Sequence, residues 1–356
     1  MSTEEQLRIG VLGCGPIAQF AHFDAIRKAR NAELYAICDR APDLLARMAL
    51  VHQPTTTYSD FDAMLADPRL DAVIIATADQ FHVPLCKQAI AAGKPVLVEK
   101  PMGVSVEECL ELRDLVRAKG AVLQVGYMKR FDPGIEYARN FIREELGERL
   151  SYTAWYRDSA YRYTMTDNLQ PIPYASPNAL RPGGNPKADK RRYFMLTHGS
   201  HLVDSARSLG GEMRGVHGRL VEKAGAHCWF IAVEFADGSL GHLDLTVAVR
   251  GDWAEGFHIH GEKGSVIGKV HLPWYHKTAE VECFSTADRI IRRPLGEDAH
   301  SYKRQIESFV AAIRDPASQS GANVDDGLEG VRAMVAIARS VERGAPVRLD
   351  EVTGAV

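Results

Sequence analysis

The fold is decided by residues 7–18, LRIGVLGCGPIA. The apolar run that ends at Leu12 predicts a buried β-strand, and Pro16, whose fixed φ suits a first helical turn, predicts where a helix begins. Between them, two glycines let the backbone turn tightly and approach a pyrophosphate, which binds at a helix N-terminus. The residues of this predicted dinucleotide site are Gly13, Gly15, Pro16, Ile17 and Ala18.

A carboxylate follows the second predicted strand. Asp39 comes 21 residues after Ala18, where it would accept hydrogen bonds from an adenosine ribose. A glycine turn followed by a solvated Asp-Arg pair is the alternative. We disfavour it because strand, turn, helix, strand and acid occur in order. Asp39 favours NAD, since a carboxylate repels a 2′-phosphate, whereas Arg40 could pair with such a phosphate and leaves NADP as the weaker alternative.

Strands and helices alternate over the first ~125 residues, which predicts an α/β domain with a parallel sheet. Ser105 with Glu108 forms a capping box that predicts a helix start, and Gly120 predicts the end of that helix. The predicted strands are Arg8–Leu12, Glu33–Cys38, Ala72–Ala76, Pro95–Glu99 and Ala121–Val125, with Thr56–Tyr58 as a short additional one.

The tripeptide Glu99-Lys100-Pro101 follows the short apolar strand that contains Val96–Val98. A lysine at the carboxyl end of a parallel strand, beside a dinucleotide site, is well placed to move a proton while a hydride leaves the same carbon. A lysine that is partly desolvated, or near a second cation, has the lowered pKa that general-base work near neutral pH requires. This position predicts an oxidoreductase.

After Gly126 the pattern changes to successive strands with short connections, including the Asp237-Gly238 turn, which favours an antiparallel sheet. We predict an NAD-binding domain over residues 1–126. A second α/β domain, for substrate binding and oligomerisation, is predicted over residues 127–356, and its last helices can pack back on the first. The predicted strands are Ser151–Tyr156, Gly215–Val221, Cys228–Phe235, Leu240–Val247, Gly256–Gly261 and Ser265–Gly268, and the predicted helices are Pro133–Leu146, His201–Leu209, His300–Arg314 and Asp325–Arg343.

Composition excludes several classes of function. Hydrophobic residues make up 46% and charged residues 25% of the 356 residues, which is ordinary for a soluble protein. The net charge of −3 gives no reason to expect nucleic acid or a membrane as partner. No apolar run approaches the ~20 residues of a membrane span, and the polar N-terminus lacks a signal peptide, so we expect a cytoplasmic protein. The six cysteines show no CxxC spacing and are expected to be reduced.

Six motifs resemble the Gfo/Idh/MocA oxidoreductase family, and they span most of the chain in family order. The resemblance implies an N-terminal Rossmann domain and a C-terminal α/β domain. It also implies an open, mostly antiparallel sheet that commonly makes the oligomer interface. Substrates in the family are mostly sugars and cyclic polyols. The motifs are Gly13–Ala18, Ala76-Thr77 with His82, Glu99-Lys100-Pro101, Gly126–Phe131, Gly199–Asp204 and Gly261–Ser265.

The resemblance also implies residue roles. Lys100 resembles the catalytic lysine of the family and His201 its active-site histidine. Asp204 is interpreted as a structural helix residue that anchors a neighbour. The positions that often face the dinucleotide are Ala76, Thr77, His82, Glu99, Lys100 and Arg130, in addition to Asp39 and Arg40.

Thr197 is a departure from the family pattern. Dehydrogenases of cyclic polyols in this family usually carry an aspartate four residues before the histidine. The acid–base dyad is therefore altered, and the substrate can differ from the commonest ones. His198 and His201, with His258 and His260, could form a metal site. We prefer the simpler interpretation, in which His201 is the family histidine and no metal is bound.

The stretch from Arg157 to Leu196 shows no sustained periodicity and concentrates prolines, tyrosines and the basic residues Lys187, Lys190, Arg191 and Arg192. The cluster is either a solvated surface or a lid that binds an anionic group, because arginine pairs bidentately with carboxylate or phosphate oxygens. The two interpretations stay open. The candidate substrate-binding residues are Tyr127, Lys129, Tyr161, Arg191, Arg192, Thr197, His198 and His201.

The leading hypothesis is an NAD-dependent dehydrogenase of a secondary hydroxyl in a sugar, glycoside or cyclic polyol, with Lys100 as acid/base and His201 as its partner. The alternative is an NAD-dependent glycoside hydrolase that works by transient oxidation, elimination, hydration and reduction. An anionic glycoside is one candidate substrate for it. Thr197, His198 and the basic stretch keep it open. A binding or regulatory protein without turnover is disfavoured by the presence of Lys100 and His201.

A homodimer or homotetramer is expected. Alternating strands from Cys228 to Gly268 are followed by only two helices, so one sheet face would otherwise stay exposed with its apolar positions. The expected partners are a small sugar or polyol and further copies of this chain.

Overall fold

The computed structural model describes residues 5–161, 172–180, 183 and 187–356. The chain divides into two compact units. The first unit takes in the described residues of Met1–Tyr127, Gln170–Pro186 and Tyr302–Leu328. The second unit takes in those of Met128–Leu169, Lys187–Ser301 and Glu329–Val356. Each unit is therefore built from three separate stretches of chain.

A six-stranded parallel sheet forms the centre of the first unit. The strands are β1 Leu7–Leu12, β2 Ala32–Cys38, β3 Thr56–Tyr58, β4 Ala72–Ile75, β5 Val96–Val98 and β6 Leu123–Val125. Their order across the sheet is β3-β2-β1-β4-β5-β6. The order reverses beside β1, and in such sheets ligands bind outside the carboxyl ends of the strands at that point. The predicted α/β class is confirmed, including the short third strand.

Helices follow most strands of this sheet, and two of these helices carry the local signals that the sequence predicts. The first helix begins at Pro16 and has a π-helical stretch before its α-helical end. The capping box of Ser105 and Glu108 is present, and Gly120 ends that helix with φ of 57°. The helical segments are Ala18–His22, Phe23–Lys28, Pro42–His52, Phe61–Leu65, His82–Ala91, Val106–Lys119 and Ser301–Arg314. The helix Val324–Arg343 begins in this unit and continues into the second.

A nine-stranded sheet forms the second unit. The strands are β7 Arg149–Ser159, β8 Met213–Lys223, β9 Ala226–Phe235, β10 Leu240–Val249, β11 Ala254–Gly261, β12 Gly264–Val270, β13 Glu280–Ser285, β14 Ile290–Arg292 and β15 Val347–Arg348. Their order is β14-β13-β12-β11-β7-β10-β9-β8-β15. Only the pair β7 and β10 is parallel among its described strands, so the predicted, mostly antiparallel sheet is confirmed.

Helices cover one face of this sheet. Pro133–Glu144 packs on β12 and β13, and Ser200–Gly210 packs on β7 and β10. Strand alternation sends every second residue of β7 towards the helices, and those residues are buried. The remaining helical segments of this unit include Lys190–Phe194 and the π-helical Met195–Gly199.

The structure corrects two sequence predictions. The predicted strand ending at Tyr156 continues to Ser159, since Arg157 pairs with Thr246 on one side and with Ala254 on the other. The stretch predicted to lack periodicity also contains the helix Lys190–Phe194, capped by the Asp189 carboxylate. Part of that stretch, residues 162–171, 181–182 and 184–186, lies outside the described residues. No described helix is long and apolar enough to cross a membrane.

Candidate active site

The glycine turn of the first unit joins β1 to the helix that begins at Pro16, and it lies against Ala76 at the end of β4. Gly13 has φ of +94°, and a Cβ atom there would lie 2.6 Å from the carbonyl oxygen of Ala76. At Gly15 a Cβ atom would meet nothing within 4 Å. Position 13 therefore requires glycine for backbone reasons, whereas Gly15 opens onto free space at the start of the helix. Pro16, Ile17 and Ala18 form its first turn.

Asp39 is fixed beside this turn. Its Oδ2 accepts the backbone N–H of Cys14 at 2.8 Å, and its Oδ1 accepts the backbone N–H of Ala41 at 2.8 Å. The carboxylate is half-buried, while the adjacent Arg40 is exposed. The first unit thus joins the predicted acid to the predicted glycine turn through a direct hydrogen bond.

The carboxyl ends of β4 and β5 are tied together by His82. Its Nδ1 lies 2.7 Å from the carbonyl oxygen of Pro101, and its Nε2 lies 3.2 Å from that of Thr77. The Thr77 hydroxyl is buried, and no hydrogen-bond partner for it occurs among the residues that the structure describes. A buried hydroxyl normally has a partner, so this one is available to a ligand. Ala76, which precedes it, is buried.

Glu99 and Lys100 follow β5. Glu99 Oε1 lies 2.9 Å from His22 Nε2, and Glu99 Oε2 accepts the backbone N–H of Lys100 at 3.2 Å. Burial acts to raise the pKa of Glu99, but the hydrogen bond and charge of His22, with the charges of Lys100 and His82, leave that pKa below its usual value. The low pKa of Glu99 makes it an ionised carboxylate. Lys100, the next residue, is half-buried.

These residues of the first unit fit a dinucleotide. The turn lacks a side chain at Gly15, the helix N-terminus favours a phosphate, and the Asp39 carboxylate can accept ribose hydroxyls. The Thr77 hydroxyl supplies a further hydrogen-bonding group. These residues follow the carboxyl ends of β1, β2 and β4, and the sequence predicts that all of them face the dinucleotide.

In the second unit, Arg130 forms a buried ion pair with Asp204. Arg130 Nη2 lies 2.7 Å from Asp204 Oδ1, and its Nε lies 3.0 Å and 3.1 Å from the two carboxylate oxygens. The side chains are 9% and 5% exposed. Asp204 thus anchors a neighbour, as the sequence suggested, and that neighbour is a residue predicted to face the cofactor.

Lys129 forms a second buried ion pair. Its Nζ lies 2.6 Å from both carboxylate oxygens of Glu255. The same nitrogen lies 4.5 Å from the ring centroid of Tyr156 and 5.8 Å from that of Trp253. Burial raises the pKa of Glu255 against the lowering effect of Lys129. Lys129 is therefore held by a carboxylate on one side and by aromatic faces on the other.

Two histidines lie against the same tyrosine. The ring of His201 stacks on Tyr156 with centroids 6.0 Å apart and an interplanar angle of 3°. His198 meets Tyr156 edge-on at 5.8 Å. His198 Nε2 lies 2.7 Å from Asp158 Oδ2, and its Nδ1 lies 2.7 Å from the hydroxyl oxygen of Thr197. The second unit therefore brings three predicted substrate residues together with Asp158.

The other predicted substrate residues are more dispersed. Arg191 is exposed and pairs with Glu222, with its Nε 3.0 Å from Oε1. Arg192 Nε donates to the carbonyl oxygen of Val356 at 3.0 Å. Tyr161 is 54% exposed, and Tyr127 is buried. The structure does not gather these side chains with His198 and His201.

Sequence reasoning missed Asp158, Glu255 and Trp253 as site residues. A signal for the first two exists in the alternation of their strands. Asp158 follows Tyr156 at a buried position of β7, and Glu255 precedes Phe257 at a buried position of β11. A carboxylate on the buried face of a strand must be paired or hydrogen-bonded. An acidic residue that occupies an alternate position among buried apolar residues of a strand is therefore a candidate site residue, and the sequence pattern alone identifies it.

Comparison with known proteins gives matches over most of the chain. A family model described as "Oxidoreductase family, NAD-binding Rossmann fold" matches residues 7–127. A second, the "GFO/IDH/MocA C-terminal domain", matches residues 174–267.

Individual relatives match along nearly the whole length. The chain is 26% identical to inositol 2-dehydrogenase 2 of Saccharopolyspora erythraea, covering 96% of both chains. It is 25% identical to scyllo-inositol 2-dehydrogenase (NAD(+)) of Bacillus subtilis, covering 98% of this chain and 97% of that protein. The structure of levoglucosan dehydrogenase in complex with NADH superposes with a TM-score of 0.78 at 21% identity, covering 98% of this chain and 100% of that one. This last likeness concerns the fold.

Proposed function

Since this chain belongs to the Gfo/Idh/MocA family of NAD-dependent oxidoreductases that act on CH–OH groups, we propose that it oxidises a secondary hydroxyl of a sugar, glycoside or cyclic polyol. Relatives named as inositol 2-dehydrogenases support a small polyhydroxylated substrate. In this proposal Lys100 is the acid/base and His201 is its partner.

Residues of the first unit would hold NAD. The glycine turn and the following helix start would bind the pyrophosphate, Asp39 the adenosine ribose, and the Thr77 hydroxyl and His82 segment the remaining polar groups. When bound, NAD supplies the hydride acceptor for the carbon that carries the hydroxyl.

Lys100 would handle the proton of that hydroxyl. The amine takes the proton as the C–O bond gains double-bond character and the C–H bond breaks, and it returns the proton in the reverse direction. His201, buried and stacked on Tyr156, would accept or relay it. Glu99 lies beside Lys100 as a buried carboxylate whose own pKa is held below its usual value.

One observation carries the proposal: Lys100 lies two residues beyond β5, at the edge of the parallel sheet that also presents the glycine turn. Ligands of such sheets bind at the carboxyl ends of the strands. The lysine is half-buried and next to a buried carboxylate, which is the kind of environment that supports acid–base chemistry.

The test is a panel of inositols, aldoses, anhydrosugars and glycosides, each with NAD and with NADP. NADH absorbance and product composition are followed together. Oxidised product that accumulates in equal amount with NADH supports the dehydrogenase. Absence of turnover on the whole panel, with NAD binding intact by calorimetry, would contradict the proposed substrate class.

The NAD-recycling glycosidase is the second candidate. The buried Asp158–His198 pair adds titratable groups to the site, and elimination followed by hydration needs more proton transfers than a single oxidation. We rank it second because both ring nitrogens of His198 already face hydrogen-bond partners. In the same panel it would release aglycone without net NADH.

We also propose a homodimer or homotetramer. The sheet face opposite the covering helices exposes apolar side chains, and Trp155 packs against His258 there. Exposed apolar side chains on an uncovered sheet face are suited to an interface between copies of the chain. The exposed apolar residues of this face include Val221, Phe230, Leu240 and Ile267.

A further inference from the structure

Tyr156 and Asp158 of β7 contact two histidines, His198 and His201. These histidines lie in the adjoining helical segments Met195–Gly199 and Ser200–Gly210. Tyr156 and Asp158 are alternate residues of the strand and point to its buried face. His198 and His201 are three residues apart, which places them on one side of the helix. Asp158 is 5% exposed and His198 is 7% exposed, so their contact is removed from water.

The hydrogen bonds of His198 indicate its protonation state. Its Nε2 faces the Asp158 carboxylate at 2.7 Å, and a carboxylate only accepts, so this nitrogen carries a proton. Its Nδ1 faces Thr197 Oγ1 at 2.7 Å, while that hydroxyl donates its single proton to the carbonyl oxygen of Tyr193 at 2.6 Å. All three contacts are satisfied together only when both ring nitrogens of His198 carry protons.

Tyr156 connects this pair to the proposed catalytic histidine. The tyrosine ring meets His198 edge-on, at 5.8 Å and 80°, and its face stacks on His201 at 6.0 Å and 3°. A shift of His198 therefore moves the surface on which His201 rests. The orientation of His201 thus depends on Asp158 through two successive contacts, first with His198 and then with Tyr156.

We propose that Asp158 and His198 form a buried carboxylate–imidazolium pair that positions His201. The inference rests on the proposed function only for its catalytic consequence. A carboxylate that holds an imidazole in one tautomer and orientation is a familiar device in acid–base sites. Here it acts on the neighbouring histidine, so Asp158, His198 and Thr197 are positioning residues.

The charged and titratable groups around the pair come from several elements. His201 lies on the same helical segment and Tyr156 on β7. Beyond Tyr156 lie Lys129 and Glu255, which neutralise each other. On the other side, Phe194 separates His198 from His227 of β9.

The kinetic test uses Asp158→Asn, His198→Gln, and Thr197→Val with Thr197→Ser as its conservative partner. Asp158→Asn and His198→Gln should each lower kcat about 10- to 100-fold, because small misplacements of a catalytic group cost rates of this order. The KM for NAD should stay within about twofold. Thr197→Ser should keep the activity that Thr197→Val loses.

Asp244→Asn is the matched control for Asp158→Asn. Asp244 is also buried, at 6% exposure, and is paired at 2.6 Å with Arg157 on the opposite face of the same sheet. Its substitution should leave kcat within about twofold. In a His201→Ala background, Asp158→Asn should cause no further loss, since its effect acts through His201. Independent, additive losses in that background would overturn the proposal.

A measurement without substrate separates this inference from the proposed function. Side-chain ¹⁵N NMR of histidine-labelled protein at pH 7 should show both His198 nitrogens protonated. Nuclear Overhauser contacts between the His201 and Tyr156 rings should weaken in Asp158→Asn and persist in Asp244→Asn. A neutral His198 ring, or unchanged His201–Tyr156 contacts in Asp158→Asn, would overturn the positioning role even if the enzyme turned over sugars as proposed.

Discussion

The Lys129 ammonium nitrogen lies 2.6 Å from each carboxylate oxygen of Glu255, and both side chains are almost fully buried. Removal of one partner leaves an uncompensated buried charge, which typically costs about 3–5 kcal/mol. We therefore expect Lys129→Met to lower the free energy of unfolding by an amount of that order in urea titrations. The double variant Lys129→Met/Glu255→Gln should recover much of this loss. A double variant as unstable as the single one would show that the pair is not the cause.

Lys100→Ala should lower kcat by about 10²–10⁴-fold, the usual contribution of a general acid–base group. NAD affinity, measured by calorimetry, should remain within a few fold, because the backbone of the glycine turn and Asp39 are untouched. Lys87→Ala is the matched control, since Lys87 is a lysine of the same unit engaged in an ion pair with Glu111. Near wild-type kcat in Lys100→Ala would remove Lys100 from the mechanism.

Asp39 should set the cofactor preference. We expect kcat/KM to favour NAD over NADP, because the carboxylate beside the glycine turn repels a 2′-phosphate. Asp39→Asn removes the charge and keeps one of the two oxygens that accept the Cys14 and Ala41 amides. It should shift the ratio towards NADP by at least about tenfold, or ~1.4 kcal/mol. Arg40→Ala should affect NADP alone. A parent enzyme that prefers NADP would show that Arg40 outweighs Asp39.

Asp67 should make the first unit sensitive to acid. Hydrogen bonds from the Tyr35 hydroxyl at 2.6 Å, the Arg69 backbone N–H at 2.8 Å and the Tyr58 hydroxyl at 2.7 Å hold the pKa of Asp67 far below its usual value. A folded-state pKa below the unfolded one adds stability above the unfolded value of about 3.9, and this stability is lost as pH falls through the folded pKa. Asp67→Asn should therefore be less stable than the parent at pH 7. It should also lose less stability between pH 5 and pH 3. Parallel pH profiles for the two proteins would count against the assignment.

The open face of the second sheet should be an interface between copies of the chain. Light scattering at micromolar concentration is expected to give a dimer or tetramer mass. Phe230→Glu/Ile267→Glu should shift that mass towards the monomer, because two buried charges would be desolvated at the contact. Glutamate at the exposed Leu295, outside that face, is the control. A monomeric parent protein would contradict the proposal.

The strands of the parallel sheet and the starts of two of its helices could be predicted because their signals are local. The strand, glycine turn and helix of residues 7–18 are adjacent in sequence, and so are the capping residues Ser105 and Glu108. Element ends differed from the predictions by one or two residues, which is the usual uncertainty of helix and strand ends.

The buried ion pairs of the second unit could not be predicted from local sequence signals. The Asp158–His198 and Lys129–Glu255 pairs join residues 40 and 126 positions apart, and they form because β7 lies between β10 and β11. The parallel pairing of β7 with β10 leaves no local trace in either strand. The edge strands β14 and β15, of three and two residues, are too short to produce a pattern. The substrate role of Arg191 stays a prediction, to be weighed against its ion pair with Glu222.

Residues 305–322 complete the β6 edge of the parallel sheet, and they are synthesised long after β6 itself. The Val125 amide donates to the Ala322 carbonyl at 2.8 Å. The Gln124 side-chain amide donates to the Gln305 carbonyl, and the Gln319 side-chain amide donates to the Leu123 carbonyl. On a ribosome that adds about 5–20 residues per second, the 197 residues from Val125 to Ala322 take roughly 10–40 s to synthesise. During that interval β6 is an unprotected edge, open to pairing with other nascent chains. Folding of the cofactor-binding unit thus finishes only after residue 322 has been made, and a fragment that stops at residue 126 would expose this edge permanently.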